Sequence, residues 1–206
     1  MNHKLFGKGA GPVFAAILVI GFMLASCEDK IPGDPEGVMK QYVNAIKARD
    51  FKTIYSLNRV TARQKYHLEQ TSVGNVETIL KTNYEENKAA FDSAEFTLTP
   101  AVQWGEKYFF PPSAKVSFGK PERIKPVGDD PVNAEYEKAL TVKIHVTAEY
   151  PDVNEAPKLG DRAIKTAVYD CALGKIRTGK SVRVYDLDEK WYFNGCILEK
   201  DRVQLN

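Results

Sequence analysis

The sequence is poor in cysteine and histidine, and it lacks the motifs that are typical of metal-dependent or nucleophilic enzymes. Its 206 residues include three cysteines and three histidines. There is no H-E-x-x-H, C-x-x-C, glycine-rich phosphate loop or G-x-S-x-G nucleophile elbow. We therefore expect no metal site and no cofactor, and no residue can be assigned a catalytic role.

The chain also lacks an excess of charge of either sign. It has 29 basic and 27 acidic side chains, and Lys4 and Lys8 are the only charged side chains before Cys27, so 27 of each sign lie beyond it. A protein that binds a phosphate backbone needs a broad positive field, which a neutral domain does not have. We therefore expect no nucleic-acid partner.

A long apolar run is present only at the N terminus. Two lysines precede an unbroken apolar stretch from Val13 to Leu24, and the small residues that follow end at Cys27. This order is typical of a signal peptide. The L-A-S-C sequence at its end resembles the lipobox of bacterial lipoproteins. The resemblance implies cleavage after Ser26, diacylglycerol on the thiol of Cys27, and a lipid anchor in the membrane of the cell envelope.

The alternative for this segment is an uncleaved signal anchor, because the uncharged residues 9–26 are at the lower limit of length for a spanning helix. Three glycines and a proline dilute that stretch, and charged residues follow it at once. Glu28, rather than aspartate, follows Cys27, which favours the outer over the inner membrane if this organism sorts lipoproteins as enterobacteria do. Asp29 weakens that preference.

The two remaining cysteines, Cys171 and Cys196, lie on segments that predict strands. A disulfide between them is expected to persist outside the cytoplasm if those strands pair. Two buried free thiols are the alternative. Catalysis is disfavoured, because neither cysteine has a basic neighbour in sequence that would lower its pKa.

Helices are predicted in the first half of the mature chain. Asp34 suits an N-cap and Pro35 the first helical position, Asp50 opens a second short helix, and Asn75 caps a third. Residues 58–71 favour neither helix nor strand. Apolar residues recur at one-face helical spacing after each of the three starts: Val38, Met39, Tyr42, Val43 and Ile46; Phe51, Ile54, Tyr55 and Leu57; Val76, Ile79, Leu80 and Tyr84.

Strands are predicted in the second half. Residues 140–150 alternate strictly between apolar and polar, which predicts a strand with one face buried and one exposed to water. Proline, glycine and aspartate in residues 120–133, and polar residues in 151–160, indicate two loops. Further strands are predicted at residues 94–104, 107–110, 115–118, 163–173, 181–187 and 191–199.

Helices followed by antiparallel strands indicate the α+β class. Within it, residues 35–57, which include Arg49-Asp50-Phe51, resemble the opening helices of small lipoproteins of the nuclear transport factor two-like superfamily, and residues 182–193 resemble their closing hairpin. The resemblance implies helices packed on a curved, cone-like sheet that encloses a pocket. The middle of the chain is longer and richer in proline than is typical, which indicates an inserted loop or hairpin. An unrelated α+β lipoprotein fold is the alternative.

We therefore expect three segments: a signal peptide (residues 1–26), a lipidated tether (27–34) and one α+β domain (35–206). Enzymes of the superfamily place an Asp or His base inside the cone, beside tyrosines or a second acid. His145 falls on the water-exposed face of its strand, and His67 is expected at the surface. The candidates for a pocket in this chain are Tyr42, Tyr55, Asp92, His145 and Asp170.

Three functions compete at this point. The first is a non-enzymatic envelope lipoprotein that binds a small molecule or a protein partner. The second is a structural or assembly subunit of an envelope complex. The third is an enzyme that uses the cone pocket for proton transfer or hydrolysis, which would need a buried carboxylate with a raised pKa.

Overall fold

Four α-helices come first in the part of the chain that the structure, a computed structural model, describes. That part comprises residue 31 and residues 33–71, 74–94, 104–124, 141–178, 186–187 and 189–206. Three of the helices confirm the prediction. The fourth lies within residues 58–71, for which the sequence favoured neither helix nor strand. The helices are α1 (Pro35–Ala48), α2 (Phe51–Leu57), α3 (Arg59–Thr71) and α4 (Val76–Ser93).

The predicted caps explain where the helices begin. The carboxylate of Asp34 accepts a hydrogen bond from the backbone N–H of Gly37 at 2.8 Å, and that of Asp50 accepts one from Thr53 at 3.2 Å. Asn75 caps α4 in the same way. Each side chain satisfies an N–H group that has no partner within the first helical turn.

Seven strands of the described part of the chain form one antiparallel sheet, built around the long strand β5 (Arg162–Gly174). The strand β3 (Thr141–Glu149) pairs with β5 from residue 166 to residue 174. The strand β8 (Tyr192–Leu198) pairs along the other edge of β5. Shorter strands complete the sheet: β1 (Lys115–Phe118), β2 (Glu122–Arg123), β4 (Lys158–Leu159) and β9 (Gln204–Leu205). The strands β6 (Arg177–Thr178) and β7 (Asp186–Leu187) pair separately with each other.

These elements confirm the α+β class, and Gly33–Asn206 forms one compact unit. Among the described residues, no helix combines the length and the apolar character that crossing a membrane requires. Several predictions lie outside the described residues: the lipobox with Ser26 and Cys27, residues 95–103 of the candidate strand at 94–104, residues 125–133 of the first loop, and residues 181–185.

The alternation predicted for β3 is confirmed. Val142, Ile144, Val146 and Ala148 are fully buried, whereas the residues between them are partly exposed. The buried side chains form what we call the inner face of the sheet, which packs towards the helices. The partly exposed side chains of β3, with their neighbours on β5, form the outer face.

Aromatic side chains fill the core between the helices and the inner face. The ring of Tyr42 in α1 stacks on Phe193 in β8, with ring centroids 3.7 Å apart. Phe51 in α2 contacts Phe91 of α4 and Trp104, with centroid distances of 5.3 and 5.4 Å. Large rings of this kind bury more apolar area than any other side chains, so they fix how α1, α2 and α4 pack.

The strand predicted at residues 107–110 is wrong, because the chain forms a 3₁₀ helix at Gly105–Tyr108. The ammonium of Lys107 turns inward and donates hydrogen bonds to the carbonyl oxygens of Phe91 and Asp92 at the end of α4. Those carbonyls have no amide partner within their helix, and a cation is favourable at a helix C-terminus. This contact outweighs the strand propensity of the neighbouring aromatic residues.

The two predicted loops each contain a short strand. Glu122–Arg123 pairs with β3, and Lys158–Leu159 pairs with the start of β5. Each has only two residues, which is too short for an alternating pattern to be detected in sequence.

Candidate functional site

A groove of about 940 Å³ lies between the helices and one end of the sheet. It is formed by the start of α1, the end of α2, one side of α3 and the residues that flank and open β8. The groove carries four aromatic rings among apolar and charged side chains. Its lining residues in the described part of the chain are Asp34, Gly37, Val38, Gln41, Tyr55, Ser56, Leu57, Thr61, Ala62, Lys65, Tyr66, Glu69, Ile176, Glu189, Lys190, Trp191 and Tyr192.

Trp191 is the most buried of those rings, with 3% of its surface exposed. The ammonium of Lys175 lies 5.2 Å from the centroid of the Trp191 ring, a favourable cation–π contact. Gly33, at φ +83°, lies so close to Trp191 that a Cβ atom on Gly33 would be 3.1 Å from Nε1 of the indole ring. The chain that enters α1 is therefore packed against Trp191, which holds one wall of the groove in place.

Among the described residues, the charges that line the groove nearly cancel. Asp34, Glu69 and Glu189 are acidic, and Lys65 and Lys190 are basic. Lys65 and Glu69 face each other across one turn of α3 at 3.8 Å. An arrangement with both signs around aromatic rings suits a ligand with an apolar body and a few polar groups better than a highly charged one.

A pair formed by a buried tyrosine and a partly buried carboxylate lies outside that lining. The hydroxyl of Tyr42 donates a hydrogen bond to Oε1 of Glu106 at 2.8 Å, and Tyr42 is fully buried. Burial raises the pKa of Glu106 above its ordinary value of 4.5, and burial, with the Glu106 charge next, raises the pKa of Tyr42. Taking the carboxylate out of water disfavours its charged form. The pair therefore holds a proton more firmly than exposed groups would.

A polar cluster lies on the outer face of the sheet. His145 of β3 pairs directly with Asp170 of β5, and Glu199 follows the last residue of β8. The Nδ1 atom of His145 lies 2.6 Å from Oδ1 of Asp170 and 3.0 Å from Oε1 of Glu199. Lys143 and Arg202 flank the two carboxylates. We call His145, Asp170 and Glu199 the outer-face triad.

The structure does not bring the predicted pocket residues into one site. Tyr55 lines the groove, and burial, with Tyr84 beside it, raises the pKa of its hydroxyl. Tyr42 is in the core and His145 is on the outer face. Asp92 is exposed at the end of α4, where its carboxylate lies 2.8 Å from Nζ of Lys88.

Sequence reasoning missed two of the important carboxylates. Glu106 falls next to the segment that was wrongly predicted as a strand, and nothing in its neighbours indicates burial. Glu199 ends a predicted strand that carries no other acidic residue, so it gave no sign of a cluster. His67 is exposed on α3, as expected.

The two cysteines form a disulfide. Cys171 of β5 and Cys196 of β8 are directly opposite each other in the sheet and are bonded. Both are buried on the inner face. The disulfide therefore joins the two strands that lead to Asp170 and Glu199, and neither cysteine is available as a nucleophile.

Comparison with protein-family models, with curated proteins and with solved structures finds no match to this chain.

Proposed function

We propose that this chain is a lipid-anchored lipoprotein of the bacterial envelope whose folded part binds a small molecule in the groove without transforming it. The observation that carries the binding role is the groove itself. Its volume of about 940 Å³ lies within the usual range for small-molecule sites, which are mostly apolar or aromatic with a few polar groups. Its four aromatic rings and its balanced charges favour an amphipathic ligand.

The proposed anchor rests on the sequence of residues 24–27. Asp34 and Gly37, which line the groove, begin α1 directly after the proposed tether of residues 27–34. A short tether keeps the residues that follow it close to the membrane surface. On this proposal the groove is held near the lipid, in the outer membrane by preference.

The cone-like fold implied by the superfamily resemblance is part of the proposal. Its support is the irregular pairing of β5, whose register shifts between Ala172 and Leu173 against β8 and between Ile164 and Thr166 against β9. Such irregularities bend a strand and increase its twist, which curves a sheet. We also propose that the inserted region lies between β2 and β3.

One observation favours an enzyme as a second candidate. Glu106 is a partly buried carboxylate with a raised pKa beside a tyrosine, which is the arrangement that proton transfer needs. Neither Glu106 nor Tyr42 lines the groove, however, so a ligand there does not reach the pair. For this reason we place binding first and catalysis second.

Two variants of α3 test the groove. Ala62 lines it, and Ala62→Arg should fill it while keeping a good helix former. Val60, on the same helix, is 52% exposed and outside the lining, so Val60→Arg is the matched control. After expression in the native envelope and solvent extraction, we expect one small molecule to accompany the wild type and Val60→Arg but not Ala62→Arg. Equal amounts from all three would contradict binding in the groove.

The anchor has its own test. Cys27→Ala should remain uncut and carry no labelled fatty acid, whereas the wild type should lose residues 1–26 and incorporate the label in the membrane fraction. Cleavage and membrane retention of Cys27→Ala at the wild-type level would contradict the lipoprotein assignment and leave the groove proposal unaffected.

A further inference from the structure

Backbone pairing fixes the outer-face triad. His145 and Asp170 are partners in the β3–β5 register, and the N–H of Glu199 donates to the carbonyl of Val168 at 2.9 Å, which continues the ladder beyond β8. The disulfide lies one rung from Asp170 on β5. Two strand positions and the residue directly after β8, which the sheet ladder still holds, therefore bring one imidazole and two carboxylates together.

Each carboxylate of the triad directs one oxygen to His145 and the other to a flanking cation. Oδ2 of Asp170 lies 3.6 Å from Nζ of Lys143, and Oε2 of Glu199 lies 3.1 Å from Nη1 of Arg202. The outer oxygens are thus held by cations, and the inner oxygens converge on Nδ1. Outer contacts of this kind orient the ligands of metal sites.

Two of the converging atoms are buried without a hydrogen bond among the described residues. They are Nδ1 of His145 and Oδ1 of Asp170, which lie 2.6 Å apart without hydrogen-bond alignment. The two atoms contact each other as an ion pair, and Nδ1 also contacts Oε1 of Glu199, but no hydrogen bond satisfies either of them. A neutral imidazole protonated at Nε2 presents a lone pair at Nδ1, and a bound cation would satisfy both atoms at once.

The separations within the triad are somewhat shorter than those between the ligands of one small ion. Zinc ligands lie about 2.0–2.2 Å from the metal, so two of them are about 3.3–3.6 Å apart in a tetrahedral site. The separations from Nδ1 are 2.6 and 3.0 Å, so each carboxylate has to move outward by about 0.5–1 Å for an ion to enter. The three side chains are 22–32% exposed, so the triad lies at the surface of the sheet rather than in the core.

We propose that the outer-face triad binds a divalent transition-metal ion, with Nδ1 of His145, Oδ1 of Asp170 and Oε1 of Glu199 as its protein ligands. The imidazole favours ions such as Zn²⁺ over Ca²⁺ and Mg²⁺, which prefer oxygen ligands alone. The site is open and separate from the groove, so it stands whether or not the groove binds a ligand.

Calorimetric titration of the full chain with Zn²⁺, after removal of metals with EDTA, tests the site. We expect the wild type to bind one Zn²⁺ ion here, and His145→Ala to weaken that binding at least about tenfold. His67→Ala, which removes an exposed histidine of α3, is the matched control and should bind as the wild type does. No Zn²⁺ binding by the wild type, or equal binding by His145→Ala, would overturn the proposal.

A second variant tests the site without removing a ligand, so its result does not depend on whether His145→Ala folds. Lys143→Met keeps all three ligands and removes the positive charge beside Asp170, so it should bind Zn²⁺ several-fold more tightly if a cation occupies the triad. Unchanged or weaker binding by a folded Lys143→Met would count against the site. Ca²⁺ at the same concentration should produce little heat, and Ca²⁺ binding as tight as that of Zn²⁺ would overturn the metal class.

Discussion

The two faces of the central sheet share one backbone but carry different side chains. On the inner face, Val142, Ile144 and Val146 pack under the helices with none of their surface exposed. On the outer face, His145 alternates with them along the same strand and meets two carboxylates. The inner face therefore determines stability, whereas the outer face can carry polar chemistry at little cost to the fold.

The largest effect should come from emptying the inner face. Phe193→Ala removes a ring that stacks on Tyr42 and is 1% exposed, so we expect a loss of about 3–5 kcal/mol in the free energy of unfolding. Ile197→Ala, on the same strand but 58% exposed, should change it by about 0.5 kcal/mol or less. Urea unfolding of both variants measures this difference in the free energy of unfolding. Equal losses in the two variants would contradict the distinction between the inner and outer faces.

The disulfide should give the next largest effect. It closes a loop between residues 25 positions apart, so its reduction should lower the free energy of unfolding by about 3 kcal/mol. The double variant Cys171→Ala/Cys196→Ala should show the same loss and no further response to reductant. A wild type that is equally stable with and without reductant would show that the disulfide does not hold the sheet together.

Glu106 should make stability depend on pH. Because burial raises its pKa in the folded state, the folded chain binds more protons than the unfolded chain above the ordinary glutamic acid pKa. The contribution of Glu106 to the free energy of unfolding is complete at low pH, and it is lost as the pH rises through the pKa that Glu106 has in the folded state. Glu106→Gln, whose amide oxygen still accepts from Tyr42, should remove this decline. Urea unfolding across that pH range measures it, and identical pH profiles would contradict the burial of a titrating carboxyl.

The smallest effect is expected on the outer face. His145→Gln in the presence of EDTA should change the free energy of unfolding by about 0–1 kcal/mol, because partly exposed ion pairs contribute little. Thermal unfolding without metal measures this. A loss as large as that of Phe193→Ala would show that the triad is part of the structural core rather than a surface site.

Local features of the sequence predicted much of the fold. The caps at Asp34, Asp50 and Asn75 and the alternation of β3 depend on neighbouring residues, and each is confirmed. The disulfide was also predicted, although only as one of two alternatives. These features are visible because a helix start or a strand face is set within a few residues.

The site could not be predicted, because it depends on contacts distant in sequence. The register of β3 against β5, which places His145 opposite Asp170, is decided by packing across the whole inner face. Lys107 was misassigned because the carbonyls that attract its ammonium belong to another helix. Glu106 is likewise buried by a partner 64 residues away, so its raised pKa has no local signal.

A native mass spectrum of the wild-type protein, extracted from its own membrane, tests the central claim most directly. We predict the mass of a chain that begins at an acylated Cys27, with an additional small molecule that leaves on gentle activation and a disulfide that remains. A chain that retains residues 1–26 without lipid, and carries no additional mass, would contradict the account of a membrane-anchored binding protein.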